Sequence, residues 1–154
     1  MYRHILISTD GSELAESAVT NGLSLAKSLG AKVTVIIIEE PFNWLGVSKT
    51  KVQRSFTDVG AFEALAKHIE EIKKYAKGVL DGVADAAKQA GVSYDTVQVE
   101  DPQPYQAIID TAANRGCDLI VMASHGRGGL SAVILGSVTN KVLTHTKVPV
   151  LVVQ

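Results

Sequence analysis

Four short apolar runs constrain the fold more than anything else in the chain: HILIS at His4–Ser8, KVTVIII at Lys32–Ile38, DLIVMA at Asp118–Ala123 and VPVLVV at Val148–Val153. They are rich in β-branched residues, and the second shows no polar alternation toward its end, the pattern of a strand covered on both faces. Such strands are parallel and need helical crossovers between them.

The crossovers are legible as a change of apolar spacing to steps of three and four. From Glu13 to Leu29, Ala15, Ala18, Val19, Gly22, Leu23, Ala26 and Leu29 give one helical face, with Ser12 as N-cap and Gly30 as the stop. Over 61–90 the stripe is Phe62, Leu65, Ile69, Ile72, Ala76, Val79, Val83 and Ala87. A coiled coil fits that period, but Gly78, Gly82 and the small residues point to packing on a sheet. Gly91 ends this helix, and Val92–Glu100 alternates weakly as a further strand. Pro104 suits a first helical position, with Ile108, Ile109, Ala112 and Ala113 inward and Gly116 as the stop. The last helix is expected over Ser131–Thr146, with Val133, Ile134, Val138, Val142 and Leu143 inward. Glu39–Gly60 holds Pro41, Gly46 and the only tryptophan, Trp44, and reads as a loop, either a surface excursion or a lid.

The order is therefore β-α-β-α-β-α-β-α-β, an α/β fold with a parallel sheet between helical layers. A chain of 154 residues makes one domain, 1–154, and 46% hydrophobic residues can fill its core. A net charge of -1 without a basic stripe argues against nucleic acid as a partner. No apolar run reaches the roughly 20 residues of a membrane helix, so no membrane insertion is expected. The N-terminus runs straight into a strand without a signal-type segment, and the single cysteine, Cys117, has no partner for an internal disulfide. Both lead to the expectation of a reducing, cytoplasmic setting.

Ligands in such sheets bind beyond the carboxyl ends of the strands, where the strand order reverses. Thr9-Asp10, Ile38-Glu39 and Met122-Ala123 all fall on that rim. After Ala123 comes a polar, glycine-rich loop, Ser124–Gly129, and then a helix-like segment with Gly136-Ser137. Strand, glycine loop and helix N-terminus together form an anion site, because first-turn N–H groups are left without intrahelical partners. The loop is neither GxxxxGK[ST] nor a GxGxxG after the first strand.

Over nearly its whole length the chain resembles the universal stress protein family. The resemblance rests on HILISTDGSELAESAV, DLIVMASHGRGGLSAVILGSVTNKVL and KVPVLVV. Nucleotide-binding members carry Gly-x2-Gly-x9-Gly-Ser/Thr; here Gly126, Gly136 and Ser137 match, and Ala123 stands at the first glycine. The resemblance implies a single-domain Rossmann-like, adenine nucleotide alpha hydrolase-like three-layer sandwich with a five-stranded parallel sheet in the order 3-2-1-4-5. It implies ATP or AMP at the rim, with Mg²⁺ as a companion. By position, Asp10 and the backbone at Ile37 face the adenine side, with Thr9 beside them. Met122 and Ala123 line ribose and base. Gly126, Arg127 and Gly129 wrap the phosphates, and Gly136, Ser137, Val138 and Thr139 offer donors. His125 lies in the same loop, with a purely structural role as its alternative. Asp10 can also be a turn acceptor, Ser137 can bond back to the preceding turn, and Arg127 can be a solvated charge.

The expected function is a cytoplasmic stress-response binding module. It acts as a homodimer through the C-terminal strand, with an unknown regulatory protein as partner. The alternatives are a slow ATPase and a nucleotide-free dimerisation module; no general base is evident for the former.

Overall fold

A computed structural model describes residues 1–41, 59–126 and 135–154. Its elements are β1 (His4–Ser8), α1 (Glu13–Leu29), β2 (Lys32–Glu39), α2 (Val59–Ala90), β3 (Tyr94–Glu100), α3 (Pro104–Arg115), β4 (Leu119–Ala123), α4 (Ser137–His145) and β5 (Val150–Val153). The strands form one five-stranded parallel sheet in the order β3-β2-β1-β4-β5, with helices on both faces.

β1 and β4 occupy the centre, paired Ile5↔Leu119 through Ile7↔Val121. Alternate residues of these strands feed two separate cores. Ile5, Ile7, Val33, Val35, Ile37, Leu119 and Val121 meet α1 and α2, whereas Leu6, Ile36, Ile120 and Met122 meet α3 and α4. Leu6, Ile36 and Ile120 are fully buried, each contributing about 1.5–3 kcal/mol through area removed from water. This two-sided burial is why the strand sequences carry no polar alternation.

The helix ends follow the chemistry read from the sequence. The Ser12 hydroxyl accepts the Ala15 N–H at 3.3 Å, and Gly30 closes α1 in the left-handed region at φ 64°. Pro104 opens α3. Two expectations need correction. In α2, Ala76, Leu80, Val83 and Ala87 are buried, but Phe62 and Ile72 are exposed, and Gly78 and Gly82 face open space rather than the sheet. The helix carries its apolar stripe past the part of it that the sheet covers. In the last helix, Gly136 is the N-cap and Ser137 the first helical residue, and Leu143 is exposed while Val142 is fully buried. The segment read as a loop or lid contributes Glu39 to β2 and its last two residues to α2. Residues 42–58, with Trp44, lie outside the described residues, as do Val133 and Ile134.

Candidate functional site

The crossovers divide the molecule in two. β1, β2 and β3 run outward to one side through α1 and α2; β4 and β5 run to the other through α3 and α4. The order reverses between β1 and β4, and there the loops leaving the two strands diverge and open a crevice. A cavity of about 220 Å³ sits in it.

The β1 side supplies Ser8, Thr9 and Asp10, which form a tight turn. The Thr9 N–H donates to the Ile36 carbonyl at 3.0 Å, continuing the ladder with β2. The Thr9 hydroxyl accepts the Gly11 N–H, and Asp10 Oδ1 accepts the Ser12 N–H at 2.9 Å. The turn-acceptor role foreseen for Asp10 therefore holds for Oδ1. Its other oxygen reaches across the crevice: a Cβ built at Gly126 would lie 2.6 Å from Asp10 Oδ2. Glycine at 126 is what lets the β4 loop and the β1 turn approach so closely.

The β4 side supplies Met122, Ala123, Ser124, His125 and Gly126. The Ser124 N–H donates to the Val153 carbonyl at 2.8 Å, and its hydroxyl lies 3.1 Å from His125 Nδ1. α4 is then seated against this loop. The Gly136 N–H donates to the Ser124 carbonyl at 2.7 Å, and the buried Thr139 hydroxyl donates to the Ala123 carbonyl at 2.9 Å. A Cβ at Gly136 would come within 3.0 Å of His125 Cα and 3.2 Å of the Ser124 carbonyl oxygen, backbone that cannot yield as a side-chain tip can.

α4 begins without a side-chain cap and without an acidic residue in its first turn. The N–H groups of Ser137, Val138 and Thr139 have no acceptor within the helix. Val138 and Thr139 also line the cavity, so the positive end of this helix is turned to it.

The structure thus brings Thr9, Asp10, Met122, Ala123, His125, Gly126, Val138 and Thr139 to one cavity. Gly136 and Ser137 lie at its α4 margin, with Ser137 exposed. Arg127 and Gly129 lie outside the described residues. The Ile37 side chain is 3% exposed in the core beneath α1 and α2, and its neighbour Ile38 lines the cavity. Glu40, Ala15, Pro104 and Ile108 join the lining without having been singled out in the sequence. Pro104 and Ile108 had a usable signal, since a helix that follows a strand at the carboxyl rim must present its first turn there. Glu40 had none. Among the described residues no group of three or more His, Cys, Asp or Glu could hold a metal ion.

A family model described as the universal stress protein family matches residues 1–154. The universal stress protein MJ0531 of Methanocaldococcus jannaschii is 30% identical over 154 residues, covering 100% of this chain and 83% of the relative. Two solved structures share the fold. A universal stress protein in complex with cAMP has 23% identity and a TM-score of 0.68, covering 99% of this chain and 97% of the other. One from Archaeoglobus fulgidus in complex with dAMP has 17% identity and a TM-score of 0.64, covering 99% and 98%.

Proposed function

The chain belongs to the universal stress protein family, and from that premise we propose that it binds an adenine nucleotide, ATP or AMP, in the cavity between β1 and β4. The observation that carries the reading is the pairing of an apolar slot with an uncapped helix N-terminus. Ile38, Pro104, Ile108, Met122 and Val138 form the slot, and the N-terminus of α4 borders it through Val138 and Thr139. An aromatic base gains from the first and a phosphate from the second.

The fit is one of size as well as chemistry. Pockets that enclose a whole small ligand run to roughly 300–1,000 Å³. The cavity suits the nucleoside, and the phosphates extend past Gly126 toward Ser137. Asp10 and Glu40 suit the base and ribose, where amino and hydroxyl groups donate, and not the phosphates. Mg²⁺ would enter with the phosphate oxygens and take the Ser137 hydroxyl as a ligand. Ala123 keeps its place because its side chain belongs to the packed core cluster under α1, while its carbonyl is held by Thr139. The complexes of relatives with cAMP and dAMP support an adenine nucleoside monophosphate as the common denominator.

In this reading the protein is a cytoplasmic regulatory module whose occupancy changes its contacts with a protein partner. It is a homodimer through β5. That strand, VLVV, carries no charge, pairs only with β4 among the described residues, and leaves Leu151 39% exposed. An uncharged edge strand invites pairing with another chain.

Equilibrium dialysis against labelled ATP and AMP tests the binding; no saturable uptake at millimolar nucleotide removes the proposal. Light scattering of Leu151→Lys tests the dimer, and an unchanged dimer mass excludes the β5 interface.

A further inference from the structure

We propose that His4 is an acid-sensitive latch at the amino ends of the strands: its neutral ring ties β1 to β2 beside the end of α3, and protonation loosens that tie. His4 opens β1 and is 7% exposed. Its Nε2 lies 2.8 Å from the hydroxyl of Thr34, a β2 residue that is itself 1% exposed. Arg115, the last residue of α3, lines the same hollow as His4, Lys32 and Thr34. Two strands are thus joined through one imidazole, with the end of α3 beside it. The arrangement fits a neutral ring whose Nε2 accepts the Thr34 hydroxyl proton.

A proton on Nε2 turns that acceptor into a donor, so the Thr34 hydroxyl must swing its own proton elsewhere. The remaining neighbour is Cys117, a buried thiol close to Thr34. Sulfur is a weak acceptor, so the exchange is a poor one. The charges around the ring add to the cost. Lys32 of β2 and Arg115 of α3 oppose a third positive charge. Asp118, before β4, favours it, but its carboxylate is held by the backbone N–H groups of Arg3 and His4 at 2.9–3.1 Å. Asp95 of β3 is taken up by the Arg115 guanidinium. Cys117 offers no compensating thiolate, because burial pushes its thiol up to about 11.

Burial first, and Lys32 second, hold the His4 ring below the ordinary histidine value of 6.5. The unfolded chain therefore binds the proton more tightly than the folded one. The latch is closed above about pH 6.5 and opens as pH falls through the folded value.

Urea unfolding of the full chain at about pH 7.5 and about pH 5 tests this, with His4→Gln as the comparison, since the other three histidines stay in place. The wild-type unfolding constant is expected to rise at least about threefold more on acidification than that of the variant. An equal rise in both overturns the proposal. Should His4→Gln fail to fold, the wild-type His4 ring is titrated by NMR: a midpoint below 6.5, with loss of amide protection at Ile5 and Val33 through the same range, upholds the latch. A midpoint at or above 6.5, or protection that ignores it, overturns it.

Discussion

Two helices present their N-termini to the carboxyl rim on opposite sides of the switch point, and they are finished differently. α1 is closed. Ser12 caps it, and Glu13 and Glu16 place negative charge in its first turn. α4 is left open: Gly136 gives no side-chain cap, and the first turn, Ser137 to Asn140, contains no acid. A helix whose amides and dipole are already answered by its own residues has little to offer an anion. One whose amides are not answered carries an unmet demand. On the proposed reading the difference marks α4 as the phosphate end, and it lies in side chains rather than in the fold.

The comparison can be broken most severely at Gly126. Gly126→Val drives the Asp10 carboxylate from its place and puts a branched side chain on the cavity wall, and ATP affinity should fall at least about a hundredfold, with circular dichroism unchanged. Unchanged affinity in a calorimetric titration would detach the loop from the site. A sharper test gives α4 what α1 has. Ser137→Glu puts a carboxylate at the first helical position and should weaken ATP binding about tenfold or more. It should leave melting temperature equal or higher, since an acid there stabilises a helix by about 0.3–1 kcal/mol. The converse change, Ser12→Ala, should cost about 0.5–2 kcal/mol of stability in urea unfolding while changing nucleotide affinity less than about twofold. A large loss of affinity in that variant would mean that α1 shares the phosphate load.

The strands, their direction and the helix stops were legible because each was encoded locally: β-branched runs, Ser12, Pro104 and the glycines at 30, 91 and 116, all left-handed. The rim was legible for the same reason, since parallel strands fix which end is which. Facing was not. Ile36, Ile37 and Ile38 follow one another in a strand buried on both sides, so period-two reasoning cannot say which one meets the cavity. That choice is made by α3 packing over one face. The stripe on α2 misled for a related reason: spacing shows which residues share a face, but not how far along the helix a neighbour extends. Phe62 and Ala76 share a face, and only Ala76 is covered. Glu40 was invisible because an acid after a strand is ordinary surface chemistry until Pro104 and Val138 are seen beside it.

The reversal of strand order between β1 and β4 has a thermodynamic consequence. The chain before β4 and the chain from β4 onward pair through a ladder of three registered residues at the centre of the sheet, backed by α1 against β4 and by α3 against α4. A guest seated in the crevice touches both segments at once and works as a clasp on that seam. Mass action then ties firmness to metabolite supply, with about 2.7 kcal/mol gained at a hundred times the dissociation constant. The cohesion of the whole molecule would rise and fall with the concentration of its guest.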